Sequence, residues 1–258
     1  MTTQSIVLVL ILAISTCSSY ADYCDPAICK NVKAQHVACN APQKFGTPCG
    51  KDAKYITIDN KLKTIILNKH NELRAEIARG MYGFPQAARM PTLAWHDELA
   101  KVSTYNARNC TLEHDKCRNT KEFRYAGQNL GIIWYRRYKY QPEDRVTDFI
   151  QQWFDEHKDC PKSYIDKFPA KHDGPLIGHF TQMVNDRVTM VGCSLVHYVT
   201  YPNGEETLNY YFVCNYSMAN VIGGRVYTKG TTGSNCKTGQ NPNFKGLCSS
   251  KEKVEPKP

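Results

Sequence analysis

Apolar positions recur at helical spacing in three stretches of the chain. Ile66, His70, Leu73 and Ile77 lie four, three and four residues apart, which is one face of a helix. Asp59-Asn60 supplies an N-cap ahead of it, and Gly80 suits its end. A second helix is predicted from Trp95 to Asn109, with Leu99 and Val102 inward. A third starts at Pro142-Glu143-Asp144, where proline fits the first turn and acidic residues meet the positive end of the helix dipole. Its apolar face is Val146, Phe149, Ile150 and Trp153. Glu156 lies within roughly 20° of Phe149 on the helical wheel. A carboxylate at the inner edge of an apolar face needs a partner.

Two later stretches change period. Val191 to Tyr201 and Thr207 to Tyr216 are rich in β-formers, with Asn203-Gly204 between them. Asn-Gly is the preferred two-residue hairpin turn of type I′. A hairpin centred on it sets Cys193 opposite Cys214 at a non-hydrogen-bonded site, where a disulfide fits. Ala126 to Ile133 reads as a turn entering a strand.

Length and cysteine usage set the frame. The 258 residues suit one domain with appendages. Ile6 to Ile14 is an apolar run, followed by Ser19-Tyr20-Ala21 with small residues where a signal peptidase reads, so residues 1–21 are read as a removed secretory leader. That run is too short to span a bilayer, and no later segment is long enough. Twelve cysteines in an exported chain mean disulfides. Cys17 leaves with the leader, and the odd remainder leaves one thiol without an internal partner. Residues 22–58 carry Cys24, Cys29, Cys39 and Cys49 among Pro and Gly, the pattern of a stapled, loop-rich segment. After residues 59–222, the extension 223–258 turns to Gly, Thr, Ser, Asn and Lys, and Cys236 and Cys248 are spaced to close a local loop. Its last ten residues are expected to be disordered.

The net charge is +9, with basic residues scattered. Tyr135 to Tyr140, Tyr-Arg-Arg-Tyr-Lys-Tyr, is either a protein-facing patch or a solvated edge. No nucleic-acid motif is present, and export argues against such a partner. Asn109-Cys110-Thr111 and Asn215-Tyr216-Ser217 are glycosylation sequons.

Four segments together resemble the CAP superfamily, the cysteine-rich secretory, antigen five and pathogenesis-related proteins. They are Lys69-His70-Asn71-Glu72-Leu73-Arg74, Gly127-Gln128-Asn129-Leu130, Gly178-His179-Phe180-Thr181-Gln182-Met183-Val184, and Phe212 to Asn220. The resemblance covers about residues 59–222. The four-cysteine N-terminal segment is similar to the antigen five branch, found in insect venoms and in the saliva of blood-feeding flies. The resemblance implies an α/β fold, a three-layer α-β-α sandwich on a central antiparallel sheet. It also implies the bridges Cys24–Cys39, Cys29–Cys117 and Cys49–Cys110, beside Cys193–Cys214 and Cys236–Cys248. Cys160 is left over, as a buried inert thiol or as an intermolecular bridge making a homodimer.

The resemblance further implies a cleft tetrad of His70, Gln128, Glu156 and His179. Taken alone, His70 on an apolar stripe reads as a hydrogen-bonded core histidine. Two imidazoles and a carboxylate form a donor set for Zn²⁺ or Cu²⁺. Gln128 departs from the glutamate usual in the family, removing a charge and a base. Asn185 stands where tryptophan is frequent, which bears on the cleft's outer shape. Hydrolysis needs a nucleophile beside the base. Thr181 is near His179 in sequence and Ser194 sits on the predicted hairpin, but neither lies in a nucleophile motif.

The expected function is that of a secreted, non-enzymatic allergen that binds host defence or haemostasis components. The alternatives are a metal-dependent activity such as superoxide removal at the two histidines, or binding of a lipid or sterol between helices. No Arg-Gly-Asp triplet is present to engage integrins.

Overall fold

A computed structural model describes residues 22–50, 52–136 and 140–255. The expected leader, Cys17 with it, and the centre of the basic Tyr135–Tyr140 stretch lie outside the described residues.

Helix α1 (Asn60–Ala78) begins where the Asp59 side chain accepts from the Leu62 N–H at 2.8 Å. It ends as Gly80 adopts the left-handed conformation, φ 84°. Helix α2 (Asp97–Ala107) is shorter than the sequence pattern predicts. Trp95 joins Ala94 in a two-residue strand instead, and His96 caps the helix by accepting from the Leu99 N–H at 3.3 Å. Helix α3 (Pro142–Asp155) starts on its proline, and α4 (Gly178–Met183) is a short turn-and-a-half.

In chain order the strands are β1 (Lys54–Ile56), β2 (Ala94–Trp95), β3 (Gly127–Tyr135), β4 (Met190–Thr200) and β5 (Thr207–Tyr216). Asn203 and Gly204 both have positive φ, 55° and 80°, and the Glu205 N–H closes on the Pro202 carbonyl at 3.1 Å. That is the turn the Asn-Gly pair predicts. Regular pairing starts at Thr200 and Thr207, and Cys193 faces Cys214 with Cα atoms 4.1 Å apart. The sheet runs β1-β4-β5-β3 in antiparallel order, with β2 added parallel to β4. This leaves β3 at an edge.

Helix α2 covers one face of β4 and β5, over Val196, Tyr211 and Val213. Helices α1, α3 and α4 cover the other, over Leu195, Phe212 and Tyr216. The result is a three-layer α-β-α sandwich. Gly192 shows how closely the layers meet: a Cβ there would collide with the backbone of Ala100 and His96, so only glycine lets the start of α2 rest on β4.

Five disulfides close: Cys24–Cys39, Cys29–Cys117, Cys49–Cys110, Cys193–Cys214 and Cys236–Cys248. Two of them tie the N-terminal segment to the loop after α2, and β1 places the same segment in the sheet. Cys160 is 3 % exposed within the main core, and burial pushes its thiol up to about 11. A bridge to a second copy requires a reachable Sγ, and this packing favours the buried thiol over the homodimer.

The C-terminal extension packs on the same core through Val226, Tyr227 and Leu247. Residues 249–255 are not the free tail expected. Glu252 is buried, accepting from Arg89 Nε at 2.5 Å and from the Lys237 and Thr238 N–H groups at 3.1 and 2.9 Å. Burial alone raises a carboxyl, but these donors and the Thr238 hydroxyl outweigh it and hold Glu252 at about 2. The flanks of the basic stretch are likewise committed. The Arg145 guanidinium lies 4.6 Å from the Tyr135 ring and 4.0 Å from the Tyr140 ring, and pairs with Asp148 at 2.7 Å.

Candidate functional site

Glu156 finds its partner at the start of α4. One carboxylate oxygen accepts from the His179 and Phe180 N–H groups at 2.8 and 3.1 Å. The other accepts from His179 Nδ1 at 2.6 Å. The carboxylate thus caps the helix and fixes the imidazole.

Strand β3 turns successive side chains to opposite faces. Gln128 points toward the α2 layer, where its Oε1 accepts from His114 Nδ1 at 2.8 Å. Its Nε2 donates to Asp115 Oδ2 at 2.8 Å and to Asn215 Oδ1 at 3.0 Å. Here an amide does what a carboxylate cannot, donating to Asp115 on one side while accepting on the other. Asn129 points to the opposite face, donating to the His179 carbonyl at 3.2 Å and to the Tyr216 hydroxyl at 3.3 Å. Gly127 precedes them because a Cβ would strike the Gln182 side chain.

His114 was not among the residues the sequence pattern singled out. It sits in a loop without periodicity. The available signal was its position between Cys110 and Cys117, whose bridges anchor both ends of that loop. Asp115 ties the loop further, to Arg118 Nε at 2.7 Å and Asn106 Nδ2 at 3.1 Å. Burial holds His114 below the ordinary histidine value.

His70 is placed differently from the expected tetrad. It is fully buried, its Nδ1 donating to the Ile66 carbonyl at 2.8 Å and its Nε2 accepting from the Tyr216 hydroxyl at 3.0 Å. Desolvation lowers it to about 4. The α1 face does point inward, but the Tyr216 phenol stands between His70 and the cleft. With both ring nitrogens occupied, His70 cannot ligate a metal, so the Zn²⁺ or Cu²⁺ set His70, His179 and Glu156 is not assembled. Among the described residues, no group of three or more His, Cys, Asp or Glu is arranged to hold a metal ion.

A cavity of about 550 Å³ wraps the free edge of β3, with His114 and Gln128 on one wall and His179, Gln182 and Asn220 on the other. Leu112 and Leu176, 59 % and 72 % exposed, stand at its mouth. Both histidines have Nδ1 tied to a side-chain oxygen, which leaves each Nε2 for a ligand. The Thr181 hydroxyl is bonded to the Ile177 and Gly178 carbonyls at 3.1 Å. Ser194 lies on β4, and Asn185 is buried with its Oδ1 on the Arg187 N–H at 2.9 Å; neither lines the cavity. Of the two sequons, Asn215 is buried in the Gln128 network and Asn109 is exposed.

A sequence model of the cysteine-rich secretory protein family, CAP, matches residues 67–216. The chain is 58 % identical over 252 residues to Venom allergen-1 of Aedes albopictus, covering 98 % of this chain and 96 % of that one. It is 38 % identical over 199 residues to the Antigen 5 like allergen Cul n 1 of Culicoides nubeculosus, covering 73 % and 90 %. Among solved structures it is similar to NaASP2 with Zn²⁺, at a TM-score of 0.56 and 26 % identity, covering 74 % of this chain and 96 % of that one.

Proposed function

Because the chain belongs to the cysteine-rich secretory protein family, CAP, we propose that it is a secreted, non-enzymatic binding protein that engages host defence or haemostasis components. The observation that carries this reading is how the cleft's groups are used. The hydroxyl nearest His179 in sequence, that of Thr181, is spent on backbone carbonyls, and Gln128 is an amide held in place by Asp115. Such a site suits recognition better than acyl transfer, which needs a hydroxyl or thiol facing a base. The antigen five and venom allergen relatives support the same reading.

The test is saturable binding of labelled secreted protein to host leukocytes and platelets. Binding competed by unlabelled protein, and retained when His114 and His179 are both changed to Ala, supports the proposal. An absence of saturable binding overturns it.

A second reading is a divalent metal at the Nε2 atoms of His114 and His179, which line one cavity. It is favoured by the anchored Nδ1 atoms, an arrangement common behind metal-binding histidines, and by the Zn²⁺ in the similar NaASP2 structure. Equilibrium dialysis against Zn²⁺ decides it: stoichiometric uptake by the wild type and none by the double His→Ala variant supports it, and equal uptake refutes it.

A further inference from the structure

The polar atoms left over in the cleft are almost all acceptors. Asn129 is 1 % exposed and lines the cavity, yet its Oδ1 is buried without a hydrogen-bond partner, its Nδ2 being committed to His179 and Tyr216. Asn220 repeats the pattern on the same wall. Its Nδ2 donates to the Gly178 carbonyl at 3.0 Å and to Thr181 Oγ1 at 2.9 Å, and its Oδ1 is buried and unpartnered. The two imidazoles add to the set. Each holds its Nδ1–H on a side-chain oxygen, so in the neutral ring each Nε2 is a lone pair. Burial keeps His114 below the ordinary histidine value and therefore neutral at pH 7. Behind His179, the Glu156 carboxylate holds the Nδ1–H at 2.6 Å and fixes the orientation of the ring. Buried acceptors without donors are rare in folded proteins, and a cluster of them calls for an occupant.

Among the described residues, the one Lys or Arg side chain on the wall does not fill that role. Arg118 bonds Asp115 Oδ1 through Nε at 2.7 Å, the Asp115 carbonyl through Nη2, and the Ala126 carbonyl through Nη1 at 3.3 Å. Its charge is neutralised at close range. The rest of the cavity is apolar, with Phe168 and the exposed Leu112 and Leu176.

We propose that the cleft binds a primary ammonium group carried on an apolar body, the ammonium donating to the Asn129 and Asn220 carbonyl oxygens and to one imidazole Nε2 while the body lies against Phe168, Leu112 and Leu176. An ammonium brings three donors and a positive charge to lone pairs that line one cavity. An alcohol brings one donor and no charge, and a quaternary ammonium brings charge without donors. The proposal relies on the binding-protein reading only in treating the cavity as a ligand site. Host-cell binding and amine binding are measured separately, so either stands if the other fails.

The experiment is isothermal titration calorimetry on the full secreted chain after treatment with chelator, with 2-phenylethylammonium as probe. Its comparators are 2-phenylethanol and N,N,N-trimethyl-2-phenylethylammonium. The ammonium is expected to bind at least about tenfold more tightly than either comparator, the discrimination usual where buried polar groups are left unpaired. Asn220→Leu is expected to weaken it about tenfold, and Asn129→Leu likewise. Should Asn129→Leu fail to fold, the partly exposed Asn220 position decides alone. Added Zn²⁺ is expected to compete, since it would occupy the same Nε2 atoms. Equal affinity for the alcohol, wild-type affinity in a folded Asn220→Leu variant, or amine binding that requires Zn²⁺ would each overturn the proposal.

Discussion

The Gln128 amide nitrogen stands 2.8 Å from the Asp115 carboxylate, and the opposite end of the same amide holds His114 at 2.8 Å. Substituting Gln128→Glu sets two carboxylates in contact in a half-buried site. The variant is expected to lose about 1–3 kcal/mol at neutral pH, and to recover part of that as acid protonates one of the pair. Thermal unfolding of both proteins across the acidic range measures this. An unchanged Tm at neutral pH would show that the amide is dispensable.

Two buried histidines are built to be neutral. Burial lowers both, His70 to about 4. His36 accepts from the Ala38 N–H at 3.0 Å through Nδ1 and donates to the Asn119 carbonyl at 2.8 Å through Nε2. The unfolded chain therefore takes up protons first. Stability is complete above the ordinary histidine value of about 6.5 and is lost as pH falls toward about 4, by on the order of 3 kcal/mol from His70 alone. His70→Gln is expected to flatten the fall of Tm over that window; an unaltered slope would assign the acid sensitivity elsewhere.

The packing around Cys160 makes a chemical forecast. With its thiol pushed up to about 11 and its side chain in the core, native protein is expected to resist iodoacetamide and to label at one site only after unfolding without reductant. A non-reducing gel should show a monomer band. A dimer band that Cys160→Ser abolishes would reverse the assignment.

How much of this was legible in the chain differs by residue. The hairpin register was readable because Asn203-Gly204 fixes it locally, and the inward carboxylate of Glu156 demanded a partner on physical grounds alone. The α1 periodicity correctly placed His70 inside, but a helical face reports burial without saying which neighbour intervenes, and Tyr216 lies 146 residues away. His114 was illegible for a related reason. Its loop has no repeating pattern, and its position depends on bridges spanning 88 and 61 residues. The tail of the extension misled through its composition: a Lys- and Ser-rich stretch reads as solvated unless one knows that Arg89 waits for Glu252.

Secreted from eukaryotic cells, the protein is expected to carry an N-glycan on Asn109 and none on Asn215. Asn109 is exposed, whereas Asn215 is buried, its Nδ2 on the Leu99 carbonyl at 3.3 Å. Glycosidase treatment should shift the wild type and leave Asn109→Gln unmoved. A residual shift in that variant would place the glycan elsewhere.

The His114 wall is suspended from the N-terminal segment by Cys29–Cys117 and Cys49–Cys110, while the opposite wall rests on helices α3 and α4. The two halves of the pocket therefore answer to different chemistry. Reduction removes covalent anchors from the His114 wall, whereas the Glu156–His179 clasp contains none to lose. The finished cleft is in that sense a record of the route by which the chain matured.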